Sequence, residues 1–348
     1  MEFSKKLYQC GVVALLGDRV LFQPKWRKFF GLHSPVYRPH PYTLYELNPD
    51  WRSASGQSRH NAEGLRGDPI KTTANRGIPR ILCMGESSTY CTGIDQDADT
   101  YPARLEYYLG KHGVEAQVLN GGVGGYTSLE NLMHFHMKLR YLNPELVIYY
   151  FTHNDVHPRR WPSISPDYRE YSRTWHEPHG HGGLRGWVER SRALARGDIN
   201  NLVRRFSEVQ GRRPAANTEK NPPTAFRANI LSLAHMVHAA GAEFLMVLPN
   251  YRYAQEAAKG LEKVVNPVCR AVWEHREVVM KLAELEKFEC YDLLGNISYP
   301  NDPKAFPAKY YRDPVHFNKA GADQMGQVLS RELMTAPWSD LFRRGDKI

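Results

Sequence analysis

The sequence predicts an α/β protein built on a parallel five-stranded sheet, and three observations carry that prediction. From residue 79 onward, short apolar runs of strand length alternate with longer stretches of helical periodicity. The loops between the first three strands and their helices are short, which favours parallel pairing through right-handed crossovers. The strand ends carry glycine or small polar residues, at the sheet edge where open α/β folds place their ligands. At 348 residues and 42% hydrophobic composition, the chain is long enough for one large domain with additions. We divide it into an extension packing on the core (1–78) and a main domain (79–348) with an insertion at about 157–223.

Residues 81–84 (ILCM) form the first strand, and Gly85 permits a sharp exit into Glu86-Ser87-Ser88-Thr89, a polar helix start. Residues 101–112 (YPARLEYYLGKH) form a helix with Pro102 near its start and Gly113 as its cap. A second strand is predicted over 115–119, ending at Asn120, with GGVGGYTS (121–128) as a glycine loop. Residues 128–141 read as a helix with Leu129, Leu132, Phe135 and Leu139 on one side. The apolar run 146–151 (LVIYYF) is the third strand and leads into Thr152-His153-Asn154-Asp155. A helix over 224–240 precedes the fourth strand, 243–248 (EFLMVL). A helix over 267–286 leads to a short fifth strand ending at Asp292, and the last helix occupies 320–333.

The net charge of +9 (46 basic minus 37 acidic residues) suits an anionic surface, but no zinc-finger, RNP or basic-zipper pattern accompanies it, so nucleic acid is not the expected partner. Cys10, Cys83, Cys91, Cys269 and Cys290 are scattered and odd in number, which argues against a disulfide framework and a zinc ribbon. A reducing, cytoplasmic setting is the expectation. The apolar patch 7–22 is too short and interrupted to span a bilayer, and no cleavage site follows it. It reads as a helix docked on its own protein or, alternatively, lying peripherally on a membrane surface.

The insertion holds 13 Lys/Arg against 7 Asp/Glu, and within it residues 186–209 fit an amphipathic basic helix. Its position beside a sheet's carboxyl edge suits a lid or specificity loop. Arg159, Arg160, Arg185, Arg190, Arg192, Arg204 and Arg205 read as a solvated face, or as a surface for an anionic substrate. The cluster His176, Glu177, His179 and His181 lacks the helical spacing of a zinc site because Pro178 interrupts it, so no metal is expected. Gly121, Gly122, Gly124 and Gly125 are not followed by Gly-Lys-Ser/Thr, which removes a phosphate-loop reading.

The candidate site gathers residues from strand ends far apart in sequence. A lone Gly-x-Ser serves equally as a helix cap, so the role of Ser87 depends on its partners. A serine hydroxyl becomes a nucleophile when an imidazole takes its proton, and His316 is suited to do so. Asp313, three residues earlier, is suited to hold the other ring nitrogen. An oxyanion needs preorganised donors, which the N–H groups of Ser87 and Gly125 and the amide of Asn154 can supply. Asp155 reads as a loop anchor.

Gly85-Glu86-Ser87, Asn120-x-x-x-x-Gly125-Tyr126-Thr127-Ser128, Asn154-Asp155 and Asp313-Pro314-Val315-His316 resemble, in order and approximate spacing, the four blocks of the SGNH or GDSL-like hydrolase superfamily. The resemblance covers residues 80–333 and implies a three-layer αβα sandwich similar to flavodoxin. It implies Ser87 as nucleophile, His316 as base, Asp313 as its orienter, and Ser87, Gly125 and Asn154 as the oxyanion hole, with no cofactor. Two departures stand out. Glu86 replaces the usual Asp before the serine, and Thr152 replaces the glycine that opens the third block, where it is expected to narrow the pocket beside Asn154. The expected activity is a serine esterase or acylhydrolase acting on a small-molecule or glycan acyl ester. An O-acyltransferase using the same site and a non-catalytic binding protein on the same fold are the alternatives.

Overall fold

The computed structural model describes residues 36–71, 78–161, 164–169, 171, 217–251, 254, 257, 267–297, 308–335 and 337–343. The patch 7–22, Cys10, the cluster 176–181 and the basic stretch 186–209 lie outside the described residues.

Five strands form one parallel sheet: β3 (Arg80–Gly85), β4 (Gln117–Gly122), β5 (Leu146–Tyr150), β6 (Glu243–Leu248) and β7 (Glu289–Asp292). They lie in the order β4-β3-β5-β6-β7, every pair parallel. Counted from the first strand of the sheet this is order 2-1-3-4-5, the flavodoxin-like arrangement, whose switch point falls between β3 and β5.

The sheet is covered on both faces because its strands alternate two apolar sets. Ile81, Cys83, Ile148, Tyr150 and Val247 point one way, into a cluster with Tyr101, Leu105 and Leu109 of α2 (Tyr101–Lys111) and Met325 and Leu329 of α7 (Lys319–Leu333). Leu82, Met84, Val147, Tyr149 and Met246 point the other way. They meet Phe135 of α3 (Ser128–Met137), Ile230 and Leu233 of α5 (Thr224–Ala239), and Val279 and Leu282 of α6 (Pro267–Glu286). Helix, sheet and helix thus make the three layers that the sequence led us to expect.

β4 starts and ends later than predicted, running through both glycines to Gly122. The reason is pairing: Gly121 and Gly122 lie beside Met84 and Gly85 of β3, and a Cβ at Gly122 would lie 2.2 Å from the Tyr90 nitrogen, so glycine is what fits there. The predicted helix 128–141 stops at Met137, and a 3₁₀ turn, Leu139–Leu142, completes it. Thr127 and Glu130 start α3 with a capping box.

Outside the sheet, β1 (Tyr37–His40) and β2 (Leu44–Leu47) form an antiparallel hairpin. Leu47 of β2 is buried with Tyr90, Val123 and Tyr126, and Glu46 pairs with Lys138 at 2.9 Å. The short helix α4 (Val156–Arg159) opens the segment we delimited at 157–223. Arg159, read as solvated, is instead buried: its guanidinium donates to the carbonyls of Asn221 (2.6 Å) and Thr218 (2.9 Å) and pairs with Glu274 of α6. Asn221 donates back to the Arg159 and Trp161 carbonyls at 2.9 and 2.7 Å. Residues near the two ends of the segment 157–223 are therefore bonded to each other and to α6. The last helix is α8 (Ser339–Arg343).

Candidate active site

Ser87 opens a single helical turn, α1 (Ser87–Tyr90), directly off the end of β3, beside the switch point. The turn is held at its far end by Arg66 from the N-terminal segment. That buried guanidinium donates to the carbonyls of Tyr90 (2.8 Å), Cys91 (3.0 Å) and Ile94 (2.5 Å) and pairs with Asp97 at 2.8 Å. A charge so placed satisfies carbonyls that a one-turn helix leaves without intrahelical partners.

Asp313 and His316 lie on the loop between the isolated bridge at Tyr311 and the start of α7. Asp313 Oδ1 accepts the backbone N–H groups of Val315 (2.9 Å) and His316 (2.8 Å), which winds the loop around the carboxylate. The same carboxylate meets His316 Nδ1 at 3.0 Å (Oδ1) and 2.9 Å (Oδ2). Partial burial opposes the Asp313 charge, but the bonds from the His316 ring and the two N–H groups outweigh it and pull the carboxyl down to about 2. An ionised carboxylate only accepts, so Nδ1–H donates to it, and in the neutral form of the imidazole Nε2 is the acceptor. His316 Nε2 lies 2.8 Å from Ser87 Oγ, across 229 residues of sequence. The structure thus brings the Ser87, His316 and Asp313 side chains into one chain of hydrogen bonds.

The two remaining predicted site residues sit on loops tied to this one. The glycine loop follows β4: Val123 N–H donates to the Gly85 carbonyl at 3.1 Å, and a Cβ at Gly124 would lie 3.8 Å from Ser87 Cβ. Gly125 takes the left-handed region at φ 86°. Asn154 Nδ2 donates to the Tyr126 carbonyl at 2.9 Å, which joins the loop after β5 to the glycine loop and leaves its amide with a second N–H. Asp155 accepts Ser128 N–H (2.8 Å), Ser128 Oγ–H (2.5 Å) and Tyr168 O–H (3.0 Å), so it anchors the start of α3.

Thr152, expected to narrow the pocket beside Asn154, is turned to Glu86. It is buried, and its N–H (3.1 Å) and hydroxyl both donate to the Glu86 carboxyl. The two residues at which the sequence departs from the motif it resembles, Glu86 and Thr152, therefore form one contact. Burial pushes the Glu86 carboxyl up to about 8 despite those bonds. Sequence reading missed this clasp because it weighed the two departures separately. Short strands are the expectation for the aromatic, proline-containing stretch 25–73, and β1 and β2 bear it out, but their contact with the glycine loop was not foreseen: Tyr45 Oη donates to the Gly124 carbonyl at 2.9 Å, and Tyr126 Oη to the Tyr45 carbonyl at 2.5 Å. The aromatic run around residues 37–45 carries no signal of where its side chains reach.

Among the described residues, no group of three or more His, Cys, Asp or Glu side chains is placed to hold a metal ion, and no helix is long and apolar enough to cross a membrane. Cys83, Cys91, Cys269 and Cys290 are free thiols.

No family model and no curated relative matches this sequence. Among solved structures, the chain is similar to a lipase/acylhydrolase from Enterococcus faecalis (14% identity, 74% of this chain and 95% of that one, TM-score 0.45). It is similar also to an acetyl xylan esterase variant from Geobacillus stearothermophilus (16%, 74% and 96%, TM-score 0.44). A GDSL-like lipase from Bacteroides thetaiotaomicron is a third (14%, 76% and 91%, TM-score 0.43).

Proposed function

We propose that this protein is a serine ester hydrolase working through an acyl-enzyme on Ser87. The observation that supports the reading is the hydrogen-bonded series Ser87 Oγ, His316 Nε2, His316 Nδ1 and Asp313, with separations of 2.8 Å and 2.9 Å. His316 Nε2 takes the hydroxyl proton as Ser87 Oγ attacks the ester carbonyl, and the Asp313 carboxylate stabilises the imidazolium that forms. The charge on the carbonyl oxygen is met by the N–H groups of Ser87 and Gly125 and the Asn154 amide. The tetrahedral intermediate collapses with loss of the alcohol, which takes its proton from His316. Water, deprotonated by His316, then releases the acid and restores Ser87.

The test is labelling with a fluorophosphonate and turnover of short p-nitrophenyl esters and O-acetylated sugars. We expect the label on Ser87, and a fall of at least about 10⁴-fold in kcat for Ser87→Ala. Full activity in that variant refutes the reading. A polyol acceptor in the same assay separates hydrolysis from transfer, since acylated polyol among the products identifies an O-acyltransferase.

A further inference from the structure

The N-terminal hairpin carries a group that acts on the proposed oxyanion donor, although it lies outside the motif-bearing part of the chain. Gly124 C=O and Gly125 N–H belong to one peptide unit, and in a trans peptide those two groups point in opposite directions. Whatever fixes the carbonyl therefore fixes the N–H. The Tyr45 hydroxyl donates to that carbonyl at 2.9 Å, across 79 residues of sequence.

This peptide needs such a restraint. It is flanked by glycines on both sides, and Gly125 sits at φ 86°, so no Cβ resists rotation of the unit about its neighbouring bonds. A flipped unit would turn a carbonyl oxygen, and not an N–H, toward developing negative charge. The hydroxyl is also closely fitted to the loop: a Cβ at Gly125 would lie 2.5 Å from Tyr45 Oη. Tyr45 is itself held. Its own carbonyl accepts the hydroxyls of Tyr126 (2.5 Å) and Thr43 (3.0 Å), and its ring packs on Tyr37 and Tyr126 at centroid distances of 5.1 and 5.3 Å. Burial drives its phenol well above the ordinary tyrosine value, so it stays a donor at any working pH.

The geometry points to Tyr45 as a positioning residue of the acyl-transfer site, orienting the Gly124–Gly125 peptide so that Gly125 N–H faces the oxyanion. This rests on the ester-hydrolase reading above. Tyr45 touches no reacting atom. It acts through the peptide, and by polarising that carbonyl it also strengthens the N–H as a donor.

The test is Tyr45→Phe, which removes one oxygen and keeps the ring. With p-nitrophenyl acetate we expect kcat to fall about tenfold with KM within about twofold, the size of one misaligned donor, not a lost one. A boronic acid that forms a tetrahedral adduct on Ser87 should bind about tenfold more weakly, because only the adduct carries the oxyanion. The pH midpoint of kcat should stay put, since the His316–Asp313 pair is untouched. In ¹⁵N-glycine-labelled protein, the Gly125 amide signal should shift in the unliganded variant and lose its downfield displacement on boronate binding. Should Tyr45→Phe fail to fold, Tyr126→Phe loosens the same hairpin while keeping the Tyr45 hydroxyl. It should lower kcat two- to fivefold at unchanged KM, again with a shifted Gly125 amide.

Unchanged kcat, boronate affinity and Gly125 signal in a folded Tyr45→Phe variant overturn the inference, as does a rise in KM alone. A wild-type protein that neither labels nor turns over any ester sinks the hydrolase reading instead. The Gly125 signal, which needs no turnover, still reports then whether Tyr45 orients the peptide.

Discussion

The two halves of the candidate site are built on opposite principles. The loop carrying Asp313 and His316 is local: the carboxylate binds the backbone of Val315 and His316 as well as the imidazole, all within three residues. Arg312 adds one outside contact, to the Thr92 carbonyl at 3.2 Å. The half carrying Ser87 and the glycine loop is assembled from afar. Arg66 caps α1, Tyr45 binds Gly124, Asn154 binds Tyr126, and Thr152 binds Glu86, at separations of 24 to 79 residues. A local loop concentrates its function in one side chain, whereas a distributed one shares the load. Among the residues that support the Ser87 nucleophile, single substitutions should therefore cost most on the acid–base side.

Asp313→Asn is the sharpest case. Oδ1 accepts two backbone N–H groups, which an amide nitrogen cannot do, so the asparagine oxygen takes that position and the NH₂ faces His316 Nδ1. The imidazole must then carry its proton on Nε2, toward Ser87, and can no longer accept the hydroxyl proton. We expect kcat to fall roughly 10⁴-fold, with ¹⁵N spectra of His316 showing the Nε2–H tautomer. A loss under about tenfold would break the contrast between the halves.

On the distributed side, Asn154→Ala removes one candidate donor and the tether to the Tyr126 carbonyl together. The expected loss is 10²- to 10³-fold in kcat, about 2.7–4 kcal/mol. If Asn154 only secures the loop, the loss should shrink toward that of Tyr45→Phe, and binding of a tetrahedral boronate should weaken no more than substrate binding. Steady-state kinetics and boronate affinity on the same preparations make that comparison.

The same contrast explains what the sequence disclosed. Asp-x-x-His was readable because its partners are three residues apart, and β6 and α6 were placed to the residue because apolar period and flanking proline or glycine decide them locally. β4 was cut short because Gly121 and Gly122 carry no strand propensity. Their pairing with Met84 and Gly85 of β3 makes them strand, and that is a tertiary fact. The burial of Arg159 was hidden for a similar reason: its acceptors are the carbonyls of Thr218 and Asn221, which belong to the other end of an insertion. Nothing in the composition of residues 37–45 says that a tyrosine there lies on a glycine loop 79 residues away.

The smallest expected effect on activity, and the one with its own pH signature, belongs to Glu86→Gln. Glu86 lies under Ser87 but reaches away from it, to Thr152, so glutamine should leave kcat within a few-fold. Its effect is on stability. The folded carboxyl holds its proton to about 8, because burial penalises the charge, while the unfolded one releases it near its ordinary value of 4.5. Between those values the native state binds more protons than the unfolded state, so this group makes stability fall as pH rises. Glutamine cannot ionise and removes that slope. At one pKa unit per ~1.4 kcal/mol, the wild-type protein should lose on the order of a few kcal/mol relative to Glu86→Gln between pH 5 and 8. Asp155, raised by burial to about 6, bends the curve in the same direction over the lower part of the window, but it is present in both proteins. Thermal melts of the pair at unit pH steps give the difference directly. Parallel curves would mean that Glu86 is ionised in the folded protein, and the clasp with Thr152 would then be a charged contact made at a cost in stability.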